Sequence, residues 1–117
     1  MTETDLLKRT KQFSLRAMKL ADALPNKRSG WTIGGQLCRA GTSVGANYRA
    51  ACKARSKAEF VAKLGVVEEE ADECQFWLEL VIEAELLGAP RVAPLLDEAR
   101  QLTAIVAASK RTARGNK

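Results

Sequence analysis

Between Phe60 and Val81 the apolar residues fall at Phe60, Leu64, Val67, Ala71, Cys74, Leu78 and Val81, in alternating steps of four and three. An α-helix turns once in about 3.6 residues, so this spacing draws a line down one helical face, whereas a strand would alternate by two. The line is a bundle seam close to a coiled-coil heptad, and other helices must cover it. A second stripe, Val66, Trp77, Leu80, Ala84 and Leu87, lies beside it. That width suits either a broad face inside one chain or a face completed by another subunit.

The rest of the chain supplies the covering helices. Leu6, Thr10, Phe13, Ala17, Leu20 and Leu24 share a face, which predicts a helix over about 5–24, capped by Thr2 or Thr4 and ended at Pro25. Ile33, Leu37, Ala40, Val44, Tyr48 and Ala51 predict a second over about 31–53. The long third helix is placed at about 57–87, opened by a capping box in which Ser56 and Glu59 each satisfy the other's backbone N–H, and closed by Gly88 and Pro90. Val92, Leu95, Ala99, Leu102 and Val106 predict a fourth over about 91–112, with Pro94 tolerated only in its first turn and the tail from Lys110 frayed. No strand pattern appears. Four amphipathic helices with short links read as an all-α, antiparallel, up-down-up-down four-helix bundle, a single domain over residues 1–117.

The middle of the second helix holds poor helix formers. Gly41 and Gly45 lie on one face, and small residues at that spacing let two helix backbones approach closely. A glycine inside a helix costs about 1 kcal/mol relative to alanine, so close packing should recover that cost. Gln36, Arg39, Ser43 and Asn47 form a polar line on the same helix, and Glu69, Glu70 and Glu73 lie on its expected antiparallel neighbour. Arg39 can pair with one of those carboxylates; a line facing water would need no partner.

Composition closes off several functions. There is no histidine, and Cys38, Cys52 and Cys74 are too far apart for a metal clip and odd in number, which suits a reducing compartment and free thiols. No phosphate-cradling loop or nucleophile elbow is present, so neither an enzyme nor a cofactor is expected. Glu68, Glu69, Glu70 and Glu73 are numerous enough for a divalent metal, but consecutive helical residues point in different directions, so no metal site is expected. The first residues, MTETDLLKRTKQF, hold no continuous apolar segment, and no run approaches the roughly 18 apolar residues of a membrane span. A cytoplasmic protein without membrane contact is therefore expected.

Charge is unevenly spread. Residues 1–57 carry 12 Lys/Arg against 3 Asp/Glu, a net of +9, and residues 58–117 carry 7 against 11, a net of −4. The two halves can complement one another within a subunit or between subunits. The basic half can also attract nucleic acid. Its candidate contacts are Lys8, Arg9, Lys11, Arg16, Lys19, Lys27 and Arg28, with Arg49, Lys53 and Arg55. Trp31 can stack on a base, although an aromatic at a helix start more often packs on its neighbours.

The ordered run Gln36, Arg39-Ala40-Gly41, Ser43-Val44, Asn47-Tyr48, Ser56, Glu59-Phe60, Glu69-Glu70, Glu73 and Trp77-Leu78 resembles the four-helix bundle protein family. This is the intervening-sequence protein family, whose members are encoded within insertions of bacterial large-subunit ribosomal RNA genes. The resemblance spans nearly the whole chain. It implies a cytosolic bacterial four-helix bundle, often a ring-like homopentamer, with no established enzymatic activity. It also implies kinship with the accessory variability determinant of diversity-generating retroelements, a basic pentamer that works with a reverse transcriptase and nucleic acid. Relatives often place an acidic residue shortly after the asparagine, where Arg49, Ala50 and Ala51 stand here. Two expectations follow: a non-enzymatic homo-oligomer that assembles with itself or with a partner protein, and, as the alternative, an accessory factor that binds RNA or DNA through its basic first half.

Overall fold

The computed structural model describes residues 1–115. It contains α1 (Glu3–Asp22), α2 (Arg28–Cys52), α3 (Lys57–Glu83) and α4 (Ala89–Gly115), with no strand among the described residues. Neighbours in the chain pack side by side, α1 on α2, α2 on α3 and α3 on α4, and a thinner α1–α4 contact closes the circuit. The result is an up-down-up-down bundle 48 Å long and about 20 Å across. α1 and α3 are diagonal and do not meet.

The expected inner faces form one core. Phe13, Ala17, Leu37, Val44, Leu64, Val67, Ala71, Cys74, Leu78, Val92, Leu102 and Val106 are wholly buried. Phe60, at the open end of the seam, is half-buried, as are Trp77 and Leu80 of the second stripe, which pack against the core. Among the described residues Thr10 is the one buried polar side chain apart from the Tyr48 phenol; its hydroxyl donates to the Leu6 carbonyl at 2.7 Å, so this donor is satisfied.

Helix ends depart from expectation for local reasons. α1 starts one to two residues early, because Thr2 makes a reciprocal cap: its hydroxyl accepts from Asp5 N–H at 3.1 Å and Asp5 accepts from Thr2 N–H at 3.0 Å. α1 also stops at Asp22, two residues short of Leu24. α2 begins at Arg28 rather than Trp31. The polar run before Trp31 looks like loop, but Gly30 sits against the Pro25 carbonyl, where any Cβ would collide, and this lets the turn fold tightly onto the first turn of the helix. At α3, Ser56 Oγ accepts from Glu59 N–H at 3.0 Å, but Glu59 reaches back to Arg55 N–H (3.3 Å) rather than to Ser56.

α3 ends at Glu83, four residues before the expected end at Leu87. The terminator is a Schellman motif with glutamate in the glycine position. Glu85 adopts φ 57°, Glu85 N–H donates to the Ile82 carbonyl (3.0 Å), and Leu86 N–H donates to the Val81 carbonyl (2.9 Å). Leu86 and Val81 are both buried in the core and provide the hydrophobic contact that accompanies such stops. α4 then begins at Ala89, so Pro90 lies inside its first turn, and Pro94, its sixth residue, falls in the second turn rather than the first. There it leaves the Pro90 carbonyl without its helical donor. At the other end α4 runs to Gly115 instead of fraying from Lys110, steadied by a 2.8 Å ion pair between Lys110 and Glu68. Of the tail expected to fray, residues 116–117 lie outside the described residues.

Candidate functional site

The α1–α2 junction is built from glycine. A Cβ on Gly41 would overlap that of Ala17, and one on Gly45 would stand 2.6 Å from Ser14 Oγ and 3.2 Å from the Thr10 carbonyl. Ser14 uses this closeness: its hydroxyl donates to the Gly41 carbonyl at 2.7 Å and accepts from Gly45 N–H at 3.1 Å. Gly34 continues the same edge, against Ala21 and Leu24. Gly30, Gly34, Gly41 and Gly45, in steps of four, seven and four, are the sequence signal of this whole edge, of which Gly41 and Gly45 are the last pair.

The polar line lies at the α2–α3 boundary, partly wet. Arg39 donates to Gln36 (3.1 Å) and Glu70 (3.2 Å), and pairs with Glu73. Trp77 Nε1 donates to the same Glu73 oxygen at 2.9 Å, which ties the second stripe into the network. Asn47 does not cross to α3; its amide donates to the Ser43 carbonyl of its own helix at 2.9 Å. Glu69 points outward and is exposed. With Arg39 47% exposed, the network is a surface ion pair of small energy whose use is to fix the α2–α3 register.

The ten candidate cations separate into groups. Arg9 lies on the edge of α1 that faces α4, where Glu98 grips it at 2.6 and 2.8 Å and Gln101 accepts at 2.7 Å. These bonds hold its guanidinium even more firmly protonated, and they occupy its donors, so it is not an open contact. Lys8, Lys11, Arg49 and Lys53 line one groove of about 600 Å³ between α1 and α2, with Arg55 exposed just beyond it. Arg16 and Lys19 line a smaller groove of about 330 Å³ toward α4, joined there by Arg91. Lys27 and Arg28 sit at the opposite end of the bundle from Lys53, beside an exposed Trp31 whose indole N–H donates to Asn26 at 2.8 Å. Trp31 thus packs little and is 62% exposed.

Two outer faces stand out. The side of α1 turned away from the core exposes Leu15 (47%) and Met18 (40%) among Lys8, Lys11 and Lys19. The corresponding side of α3 exposes Phe76 (51%) among Glu69, Asp72 and Glu83. Of the ten charged residues of α3, eight are carboxylates.

Fold and surface together define an up-down four-helix bundle with a basic side and an acidic side. The chain belongs to the 23S rRNA-intervening sequence protein family, whose model matches residues 2–108. Among solved structures it is similar to a protein of unknown function from Bacteroides thetaiotaomicron VPI-5482, of the S23 ribosomal protein family. That structure superposes with a TM-score of 0.87 at 28% identity, covering 95% of this chain and 99% of the other. No curated protein matches. Among the described residues no helix is long and apolar enough to cross a membrane.

Proposed function

We propose that this chain is a non-catalytic assembly module of the cytoplasm, in which the basic outer face of α1 docks on the acidic outer face of α3 of the next copy. The observation that carries the reading is the placement of those faces. α1 and α3 are diagonal, so their outer faces look in opposite directions. Each centres on exposed apolar side chains, Leu15 and Met18 on one and Phe76 on the other, ringed by charge of opposite sign. Single exposed apolar residues are ordinary, but complementary ringed pairs fit an interface.

Height along the bundle also agrees. Ala17 is level with Gly41, and Arg39, just beside it, is level with Glu70 and Glu73. Met18 and Phe76 therefore lie within about two helical turns of one another along the axis. Side-by-side contacts between different faces are heterologous, and they close into a ring where the successive rotations sum to a full turn. The family resemblance implies five subunits, about 64 kDa from copies of 12.7 kDa.

Light scattering on the full chain tests this. A ring mass at about 0.15 M salt is expected, falling toward 12.7 kDa for Phe76→Glu and for Leu15→Lys. A monomeric wild-type chain, or an oligomer indifferent to both substitutions, would remove the reading.

A further inference from the structure

We propose that the groove between the first half of α1 and the last half of α2 seats the phosphate backbone of a single nucleic-acid strand. Four cations line it, Lys8 and Lys11 from one helix and Arg49 and Lys53 from the other, and no carboxylate does. All four are exposed, and none forms an ion pair among the described residues. This sets them apart from Arg9, Arg39, Arg100 and Lys110, which the bundle's own carboxylates neutralise. Like charges gathered in this way repel one another, and an anion relieves that repulsion.

The arrangement favours a strand over a small anion. Lys8 and Lys11 are three residues apart and Arg49 and Lys53 four, so cations recur about every 5 Å along both walls rather than converging on one point. A repeating polyphosphate matches such rails. The floor is Leu7, Gly45, Ala46 and Cys52, apolar and small, with the Ser14 and Thr42 hydroxyls beside it. No aromatic side chain lines the groove, so bases have nothing to stack on and binding is blind to sequence. The glycine-tight approach of α1 to α2 keeps the groove narrow, which suits one strand better than a duplex.

The fold also extends the rail in a way the halves of the sequence did not indicate. Arg55 follows in the α2–α3 link and Lys57 opens α3. Arg111 and Arg114, in the last turns of α4, lie toward the same end, because the Lys110–Glu68 pair sets the C-terminal end of α4 alongside the first half of α3. The proposal needs only one chain. In a closed ring with its axis along the helices, every copy would present this end on the same side, and avidity would add to each weak seat.

The test is fluorescence anisotropy of labelled oligouridine with the full chain, over a salt series, with native mass and thermal midpoint measured for every variant. Four phosphate contacts predict a log–log salt slope of about −3, hence roughly 50-fold weaker binding at 200 than at 50 mM salt. Arg49→Gln with Lys53→Gln, both on α2 and outside the proposed interface, should halve that slope while mass and midpoint stay put. Lys27→Gln with Arg28→Gln, at the far end of the bundle, should leave it unchanged. Three results would overturn the proposal: no binding at the lowest salt, equal losses from both double variants, or binding to vesicles of acidic lipid in preference to the strand. Because mass is read in parallel, loss of the ring and loss of the groove are told apart.

Discussion

Gly45→Ala sets two calculable effects against each other. Alanine is the better helix former by about 1 kcal/mol, and on an exposed helix the substitution would stabilise. Here the new Cβ would stand 2.6 Å from Ser14 Oγ and 3.2 Å from the Thr10 carbonyl. Ser14 must swing away or α1 and α2 must part. If Ser14 swings, it surrenders the 2.7 Å bond to the Gly41 carbonyl and the 3.1 Å bond from Gly45 N–H, each worth about 1 kcal/mol net. If the helices part, overpacking costs about 1–3 kcal/mol. Set against the gain of about 1 kcal/mol in helix propensity, the net expectation is a loss of about 0–2 kcal/mol, at roughly 3–5 °C in thermal midpoint per kcal/mol for a chain of this size. Circular dichroism melts at equal protein concentration measure it. Removing the obstructing oxygen as well, in Ser14→Ala/Gly45→Ala, should cost less than the two single changes added, by about 0.5 kcal/mol or more. A higher midpoint for Gly45→Ala, or strict additivity, would refute the claim that glycine is there for the approach of α1.

Three further outcomes are expected. Glu85→Gly should stabilise by about 0.5–1 kcal/mol in denaturant titrations, since φ 57° disfavours glutamate and suits glycine, whereas Glu85→Ala should not. Pro94→Ala should raise the melting midpoint by the equivalent of about 1 kcal/mol or more, because it restores a donor to the Pro90 carbonyl at an exposed position where the ring packs on little. Burial pushes the Cys74 thiol up to about 12, with Glu70 and Glu73 adding to the effect. The unfolded thiol ionises near pH 9 while the folded one stays protonated, so this contribution is complete below pH 9 and is lost as pH rises toward 12, at up to about 1.4 kcal/mol per pH unit. Urea titrations from pH 7 to 10 should therefore show a steeper alkaline loss for wild type than for Cys74→Ala, and equal slopes would count against the burial argument.

The strength of each sequence signal tracks its physical origin. The seam from Phe60 to Val81 was legible because helical period and burial say the same thing at every position. Helix ends were less so wherever tertiary structure overrode local chemistry. Gly88 looks like a stop, yet α3 stops at Glu83 with Glu85 as its left-handed terminator, because burying Leu86 against Val81 outweighs the cost of a left-handed glutamate. Gly30 looks like loop, yet it serves a helix whose first turn must clear the Pro25 carbonyl. Arg39 with Glu70 and Glu73 could be anticipated from two antiparallel neighbours in sequence order. Arg9 with Glu98 could not, because it joins the first helix to the last, and their register is set only once all four pack.

The same reasoning explains why a net of +9 in one half and −4 in the other does not translate into one basic patch. Part of the asymmetry is consumed inside the subunit, where Arg9 and Arg39 of the basic half meet Glu98, Glu70 and Glu73 of the acidic half. What remains is sorted by helix face. The cations of α1 that look outward oppose, across the bundle, the carboxylates of α3 that look outward, an arrangement useful to a second copy and useless within one. The cations that line the α1–α2 groove form no ion pair among the described residues, and they lie toward the end of the bundle where α3 starts. Assembly thus draws on Leu15 and Met18 of α1 and Phe76 of α3, and strand binding on Arg49 and Lys53 of α2, with Lys8 and Lys11 bordering both surfaces. Substitutions confined to one surface should leave the other's measurement intact: Leu15→Lys should disperse the ring without changing the salt slope per chain, and Arg49→Gln should reduce the slope without changing the mass.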